Sequence, residues 1–138
     1  MNMFFGADHA GYPLKKELLS FYPDALDLGT HSTDSVDYPD LVNHVIYKVQ
    51  EGFLGILICG TGIGMSIRAN RYPFVRAALC INPYEAMMAR EHNDANVLCL
   101  GSRVIGFGVA KMCIDIFLKT SFDDRHKRRV SMLGADIS

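Results

Sequence analysis

An apolar run ending in a thiol, followed at once by a glycine-rich turn, is the most chemically suggestive stretch of this sequence: residues 56–66 read ILICGTGIGMS. Cys59 is followed by Gly60, Thr61, Gly62, Ile63 and Gly64, so three positions of the turn carry no Cβ. N–H groups of such a turn can point together at one oxygen-rich ligand, and a helix that follows adds its positive end. That arrangement suits a bound phosphate or a developing oxyanion. Helix N-termini also activate thiols in general. Two nucleotide-binding readings fit less well. Counted from Gly60, the sixth position of a GxGxxG fingerprint is Met65, and the Gly-Lys-Ser/Thr of a P-loop is missing. A tight turn beside an inert cysteine is the plain structural alternative.

Three further segments hold groups capable of acid–base or anion chemistry. In ADHAG, residues 7–11, Asp8 and His9 follow the first apolar run, although Asp8 is equally suited to capping a helix. In REHNDANV, residues 90–97, His92 and Asn93 fall at the end of a helical stretch. A cation there is favourable for helix-dipole reasons alone, and Asn and Asp are ordinary turn formers. In DRHKRRV, residues 124–130, Arg125 and Arg129 are four apart and would share one face of a helix. Two guanidinium groups aimed together suit a phosphate, whereas a basic run by itself is usually a solvated face.

The elements that would position these groups alternate along the chain. Strands are expected at 1–6, 25–28, 54–59, 75–80 and 96–100. Helices are expected at 12–21, 40–50, from the glycine turn to 70, at 83–92 and at 106–120, followed by a polar tail over 121–138. The strand runs are short, apolar and barely alternating, as in strands covered on both faces. Repeated strand–helix units imply a parallel sheet with helices on both sides. In such sheets ligands bind beyond the carboxyl ends of the strands, which is where GADHAG, GTHS, CGTGIG, INPYE and GSR fall.

The chain has 138 residues, 49% apolar and 21% charged, with a formal net charge of -1, so one domain over residues 1–138 with a helical C-terminal tail is expected. Nothing in this balance attracts nucleic acid or a membrane surface. No stretch approaches a membrane span, and the first residues lack the pattern of a signal peptide. Cys80, Cys99 and Cys113 sit in or beside apolar runs and read as buried free thiols in a reducing compartment, giving a cytoplasmic expectation.

Taken together, GADHAG, the Gly29-Thr30 and Asp37–Pro39 pieces, ILICGTGIGMSI, INPYEAMMAREHNDANVL, LGSRVIG and RHKRRV resemble the type B ribose-5-phosphate isomerase family, nearly end to end. The resemblance implies a Rossmann-like, three-layer α/β/α fold with a five-stranded parallel sheet. It also implies homodimers or homotetramers with the site at the subunit interface, and no metal or cofactor. The implied reaction interconverts ribose 5-phosphate and ribulose 5-phosphate through an enediolate. A hexose 6-phosphate isomerase acting on allose or galactose phosphates, or a non-catalytic phosphosugar-binding module, are the alternatives.

The resemblance implies roles residue by residue. Cys59 would be the catalytic base, Thr61 its partner in proton transfer to oxygen, and the backbone from Gly60 through Gly62 and Ile63 to Gly64 the oxyanion cradle. His92 would open the sugar ring, with Asp8 holding ring hydroxyls. Asn93 and Tyr38 would lie by the sugar, and His9, Arg103, Arg125 and Arg129 would bind phosphate. His92, Asn93 and Arg103 would come from the neighbouring subunit. Some relatives use a glutamate base on the following helix. Here that helix carries Met65, Arg68 and Asn70 and no glutamate, so the cysteine version fits.

Overall fold

A computed structural model describes residues 2–134 of the chain. Met1 and residues 135–138, at the two ends of the expected first strand and tail, lie outside the described residues. Strands β1 (Met3–Ala7), β2 (Leu26–Asp27), β3 (Leu54–Cys59), β4 (Ala77–Leu79) and β5 (Val97–Gly101) form one all-parallel sheet in the order β2-β1-β3-β5-β4. Helices α1 (Tyr12–Leu19), α2 (Tyr38–Val45), α3 (Ile63–Ala69), α4 (Pro83–Glu91), α5 (Phe107–Lys119) and α6 (Lys127–Leu133) complete the α/β/α architecture expected from the sequence.

The unbroken apolar runs of the central strands are explained by two cores. Met3, Phe5, Ala7, Ile56, Ile58, Leu98 and Leu100 face one side, where Leu14 and Leu18 of α1, Ala86 and Ala89 of α4, and Ile114 and Phe117 of α5 cover them. Phe4, Leu57, Cys59, Val97 and Cys99 face the other side, against Val42 and Val45 of α2 and Met65 and Ala69 of α3. Side chains alternate at period two, so a strand buried on both faces must be apolar at every position.

Three local features depart from the expected boundaries. Helix α2 starts at Tyr38 because Pro39 presets a helical φ in its first turn, with Asp37 at the N-cap. It gives way at Ile46 to a 3₁₀ segment, Ile46–Glu51, which Gly52 ends at φ +90°. The tail is not one α-helix: Asp124–His126 forms a 3₁₀ turn and α6 begins only at Lys127. Arg125 and Arg129 are therefore not two positions of one α-helical face.

Helix α1 also buries a lysine. Lys15 is fully buried, and its Nζ donates to the Asp27 carboxylate and to the Thr30 carbonyl oxygen, tying α1 to the edge strand β2 and the loop beyond it.

Candidate active site

Cys59 is the last residue of β3 and is 5% exposed. The Gly62 N–H donates to Cys59 Sγ at 3.1 Å, a contact that an anionic sulfur makes more strongly than a neutral one. Gly62 stands at φ +78°, and a Cβ there would come within 2.6 Å of Leu79 Cδ1 and 3.0 Å of the Leu100 carbonyl carbon. Both the left-handed backbone and the close approach require glycine. The Ile63 N–H donates to Thr61 Oγ1 at 3.2 Å. Two N–H groups of the turn, expected to converge on a ligand, thus point at the turn's own side chains.

The neighbouring loops converge on this turn. Asp8 is buried, and its Oδ1 accepts from the Gly11 N–H at 2.9 Å, so its carboxylate secures the entry to α1. His9 Nδ1 accepts from the Val36 N–H at 3.2 Å, which leaves the proton of a neutral ring on Nε2, ready to donate to an anion. The Tyr38 ring packs on Gly64 so closely that a Cβ there would lie 2.5 Å from Tyr38 Cζ.

Arg103, just past β5, lies over Gly60 of its own chain: its backbone N–H donates to the Gly60 carbonyl at 2.9 Å, and a Cβ on Gly60 would sit 2.8 Å from its Nη1.

The other expected residues lie at the opposite end of the sheet. Cys59 is level with Gly101, the last residue of β5, whereas His92 and Asn93 precede its first residue, Val97. Five residues of parallel strand span roughly 13 Å, so the two groups are separated by at least the length of the strand. His92 is the C-cap of α4, with its Nε2 3.5 Å from the Glu91 carboxylate. The tail is fastened here too, because the Asp123 N–H donates to the Glu91 carbonyl at 2.9 Å. Arg125 donates through Nε to Asp123 Oδ2 at 2.9 Å, and Arg125, His126, Arg128 and Arg129 line a shallow depression of about 380 Å³. A larger cavity of about 650 Å³ is bounded by residues that include Asn93, Arg76, Tyr72, Val130 and Leu133.

The expectation that Arg103 accompanies His92 and Asn93 therefore needs correcting. Arg103 follows β5 and they precede it, so within one chain Arg103 belongs with Cys59. Arg125 and Arg129, although far from Cys59, are the residues that stand with His92.

Two participants at this second end are not legible in the motifs. His126 stacks on His92 with ring centroids 4.3 Å apart, and its Nε2 is a buried atom without a hydrogen-bond partner among the described residues. Its adjacency to Arg125 was the only signal. Asp94 adopts φ +48° directly after Asn93, and its carboxylate contacts two arginines.

The other thiols lie in the two cores or at their margin. Burial pushes Cys80 up to about 12 and Cys113 up to about 11, with Glu85 adding to both, and burial raises Cys99 as well. These three remain protonated core thiols at neutral pH.

A parallel α/β sheet with a buried thiol in a glycine turn at its carboxyl edge, and an imidazole–arginine cluster at its other edge, defines a small α/β protein built to handle an anionic small molecule. The family described as Ribose/Galactose Isomerase matches residues 3–133, and the chain belongs to it. "Ribose-5-phosphate isomerase B" of Escherichia coli (strain K12) is 43% identical over 138 residues, covering 95% of this chain and 93% of its own. The ribose-5-phosphate isomerase B structure from Clostridium thermocellum superposes with a TM-score of 0.92 at 47% identity, covering 97% of this chain and 95% of that one. The ribose-5-phosphate isomerase B of Mycoplasma genitalium, solved with bound ribulose-5-phosphate, superposes with a TM-score of 0.90 at 40% identity, covering 96% and 93%.

Proposed function

We propose that this chain interconverts ribose 5-phosphate and ribulose 5-phosphate, with Cys59 as the base. The observation that carries the reading is the buried Cys59 sulfur at the carboxyl end of β3, held by the Gly62 N–H. Isomerisation removes a proton from C2 of the open aldose and returns one to C1, with no net electron transfer. A thiolate at Cys59 takes the proton, and negative charge develops on the substrate oxygens. Thr61 passes a proton between those oxygens, and the turn from Gly60 to Gly64 supplies backbone donors with no side chains in the way. Substrate binding would draw these donors away from the turn's internal partners.

Ribose 5-phosphate is mostly cyclic, and only the open form carries the carbonyl. His92 opens the ring, Asp8 holds the ring hydroxyls, and Asn93 and Tyr38 flank the sugar. His9, Arg103, Arg125 and Arg129 hold the phosphate, which is remote from the reacting carbons and fixes orientation.

His92 and Cys59 of one chain cannot reach the same sugar, because the sheet lies between them. The site is therefore completed by a second copy, which brings His92, Asn93 and the arginines of its tail to the glycine turn of the first. Exposed apolar side chains around that turn, Ile63, Ile67, Leu79, Ile81 and Val104, support a covered face there. Four free buried thiols and a sugar-phosphate substrate suit the cytoplasm.

The test is ribulose 5-phosphate formation from ribose 5-phosphate by the purified protein, with allose 6-phosphate and galactose 6-phosphate in parallel. Preference for the pentose supports the reading. Activity on a hexose phosphate alone would keep the mechanism and change the substrate. No activity on any of the three by the folded oligomer would leave a binding module.

A further inference from the structure

His92 and Asn93 sit at the end of α4, on the short connection to β5. We propose that Asp94 is a positioning residue: its carboxylate, bridged by Arg76 and Arg90, holds the His92–Asn93 turn in the geometry that ring opening requires. The proposal rests on the ring-opening reading of His92.

A left-handed backbone and two arginines converge on Asp94. It is the one described non-glycine residue at positive φ, +48°, a conformation that costs most side chains energy and that Asp tolerates. This left-handed step turns the chain so that Ala95 goes inward, 2% exposed and with its N–H donating to the Ala89 carbonyl at 2.9 Å, while Asn93 stays outside. The Asp94 carboxylate then receives Arg90 Nη1 from α4 at 3.4 Å and Arg76 Nη2 from the segment before β4 at 3.2 Å. Arg76 Nε also donates to the Asp94 carbonyl at 2.7 Å, and Arg90 Nη1 donates to the Ala95 carbonyl. Two guanidinium groups from separate elements thus hold one carboxylate and the carbonyls of Asp94 and Ala95, and that carboxylate offsets their mutual repulsion.

The ion pairs are partly exposed, with the Asp94 side chain at 35%, so their contribution to global stability is small. Their effect is local. With the carboxylate gone the left-handed turn has less to hold it, and the two residues ahead of it lose their placement.

The experiment compares Asp94→Ala, Asp94→Gly and Asp94→Asn with His92→Ala. Two rates are read: isomerisation of ribose 5-phosphate, and exchange of the C1 hydrogen of ribulose 5-phosphate with D₂O at saturating substrate. Exchange breaks C1–H at the base and forms C1–D from solvent. It needs no ring opening, because the 5-oxygen of ribulose 5-phosphate is esterified and the ketose stays open. Asp94→Ala is expected to lower isomerisation about 10- to 100-fold, the range of a roughly 1 Å misplacement, while exchange stays within about 3-fold. Asp94→Gly, which keeps the turn but not the bridge, should lose isomerisation likewise. Asp94→Asn, which tolerates the turn and keeps an acceptor, should restore most of it.

Isomerisation within two-fold of wild type in both Asp94→Ala and Asp94→Gly, with His92→Ala impaired, would overturn the positioning role alone. A parallel fall of exchange and isomerisation in the Asp94 variants would also overturn it, as general damage. His92→Ala with undiminished isomerisation would overturn the ring-opening reading and this proposal with it.

Discussion

Cys59 and His92 face opposite ends of the same parallel sheet. Cys59 pairs in register with Gly101 at the carboxyl end of β5, and His92 precedes Val97 at its amino end. A base and a ring-opening group that serve one sugar must meet within a few ångströms. On the proposed reading, the two meet only when one copy pairs with another, and isologous pairing of two identical half-sites gives two complete ones.

Replacing Cys59 should separate chemistry from fold. Cys59→Ala is expected to lower kcat by roughly 10³-fold or more, the scale of losing a general base, with phosphate affinity retained. Cys59→Ser should leave the melting temperature nearly unchanged, because the two side chains are of similar size and the Gly62 N–H keeps an acceptor. Turnover within a few-fold of wild type would refute the base, and a large stability loss would favour an inert core thiol.

Gly62 can be probed with a single added methyl. Gly62→Ala places a Cβ at φ +78° against Leu79 and the Leu100 carbonyl, which should cost about 2 kcal/mol of stability. Relief of that clash must move the N–H that meets Cys59 Sγ, so kcat should fall further than stability alone would explain. Thermal unfolding and kinetics on the same sample check both halves.

The fold should weaken at alkaline pH from its buried acids. Burial raises the folded-state pKa of Cys80 from its ordinary value to about 12, and that of Cys113 to about 11. Tyr22 is also raised, by burial first and then by its hydroxyl's hydrogen bond to Asp115. Above its ordinary pKa each group ionises in the unfolded chain while the folded chain keeps the proton. The stability is therefore fully present below about pH 9 and declines as pH rises toward 12. Denaturant midpoints across this window should fall, and Cys80→Ala should flatten the decline.

Lys15 offers a test of the edge of the fold. Lys15→Ala removes a fully buried side chain, leaves the Asp27 carboxylate with only the Gly29 N–H as a hydrogen-bond donor among the described residues and takes the side-chain donor from the Thr30 carbonyl, for an expected loss of about 3 kcal/mol. Lys15→Met, which keeps the packing, should lose less. Equal and negligible losses in both would mean that the tie between α1 and β2 contributes nothing.

The strand that delivers Cys59 and the turn after it were legible because their signals are local: six consecutive apolar or small residues, then glycines. The bounds Leu54–Cys59 follow from the run itself. Helix α2 begins at Tyr38, ahead of the expected residue 40, because Pro39 belongs to its first turn. The tail misled for the opposite reason. Spacing four between Arg125 and Arg129 implies one helical face only if the helix is α throughout, and the Asp123 carboxylate, accepting from both the Arg125 N–H and Nε, holds a 3₁₀ turn there. The stacking of His126 on His92 and the grip of Arg76 and Arg90 on Asp94 join residues distant in the chain or turned by a backbone angle, and no periodicity marks them.

Mixing two inactive variants tests the account most directly. Cys59→Ala and His92→Ala proteins, each purified and each expected to be nearly inactive, are combined under conditions that exchange subunits. Random exchange between dimers makes half of the molecules mixed, each with one intact site of two, so about a quarter of wild-type activity should appear. Subunit exchange demonstrated by mass with no recovery of activity would contradict a site assembled from Cys59 of one copy and His92 of the other.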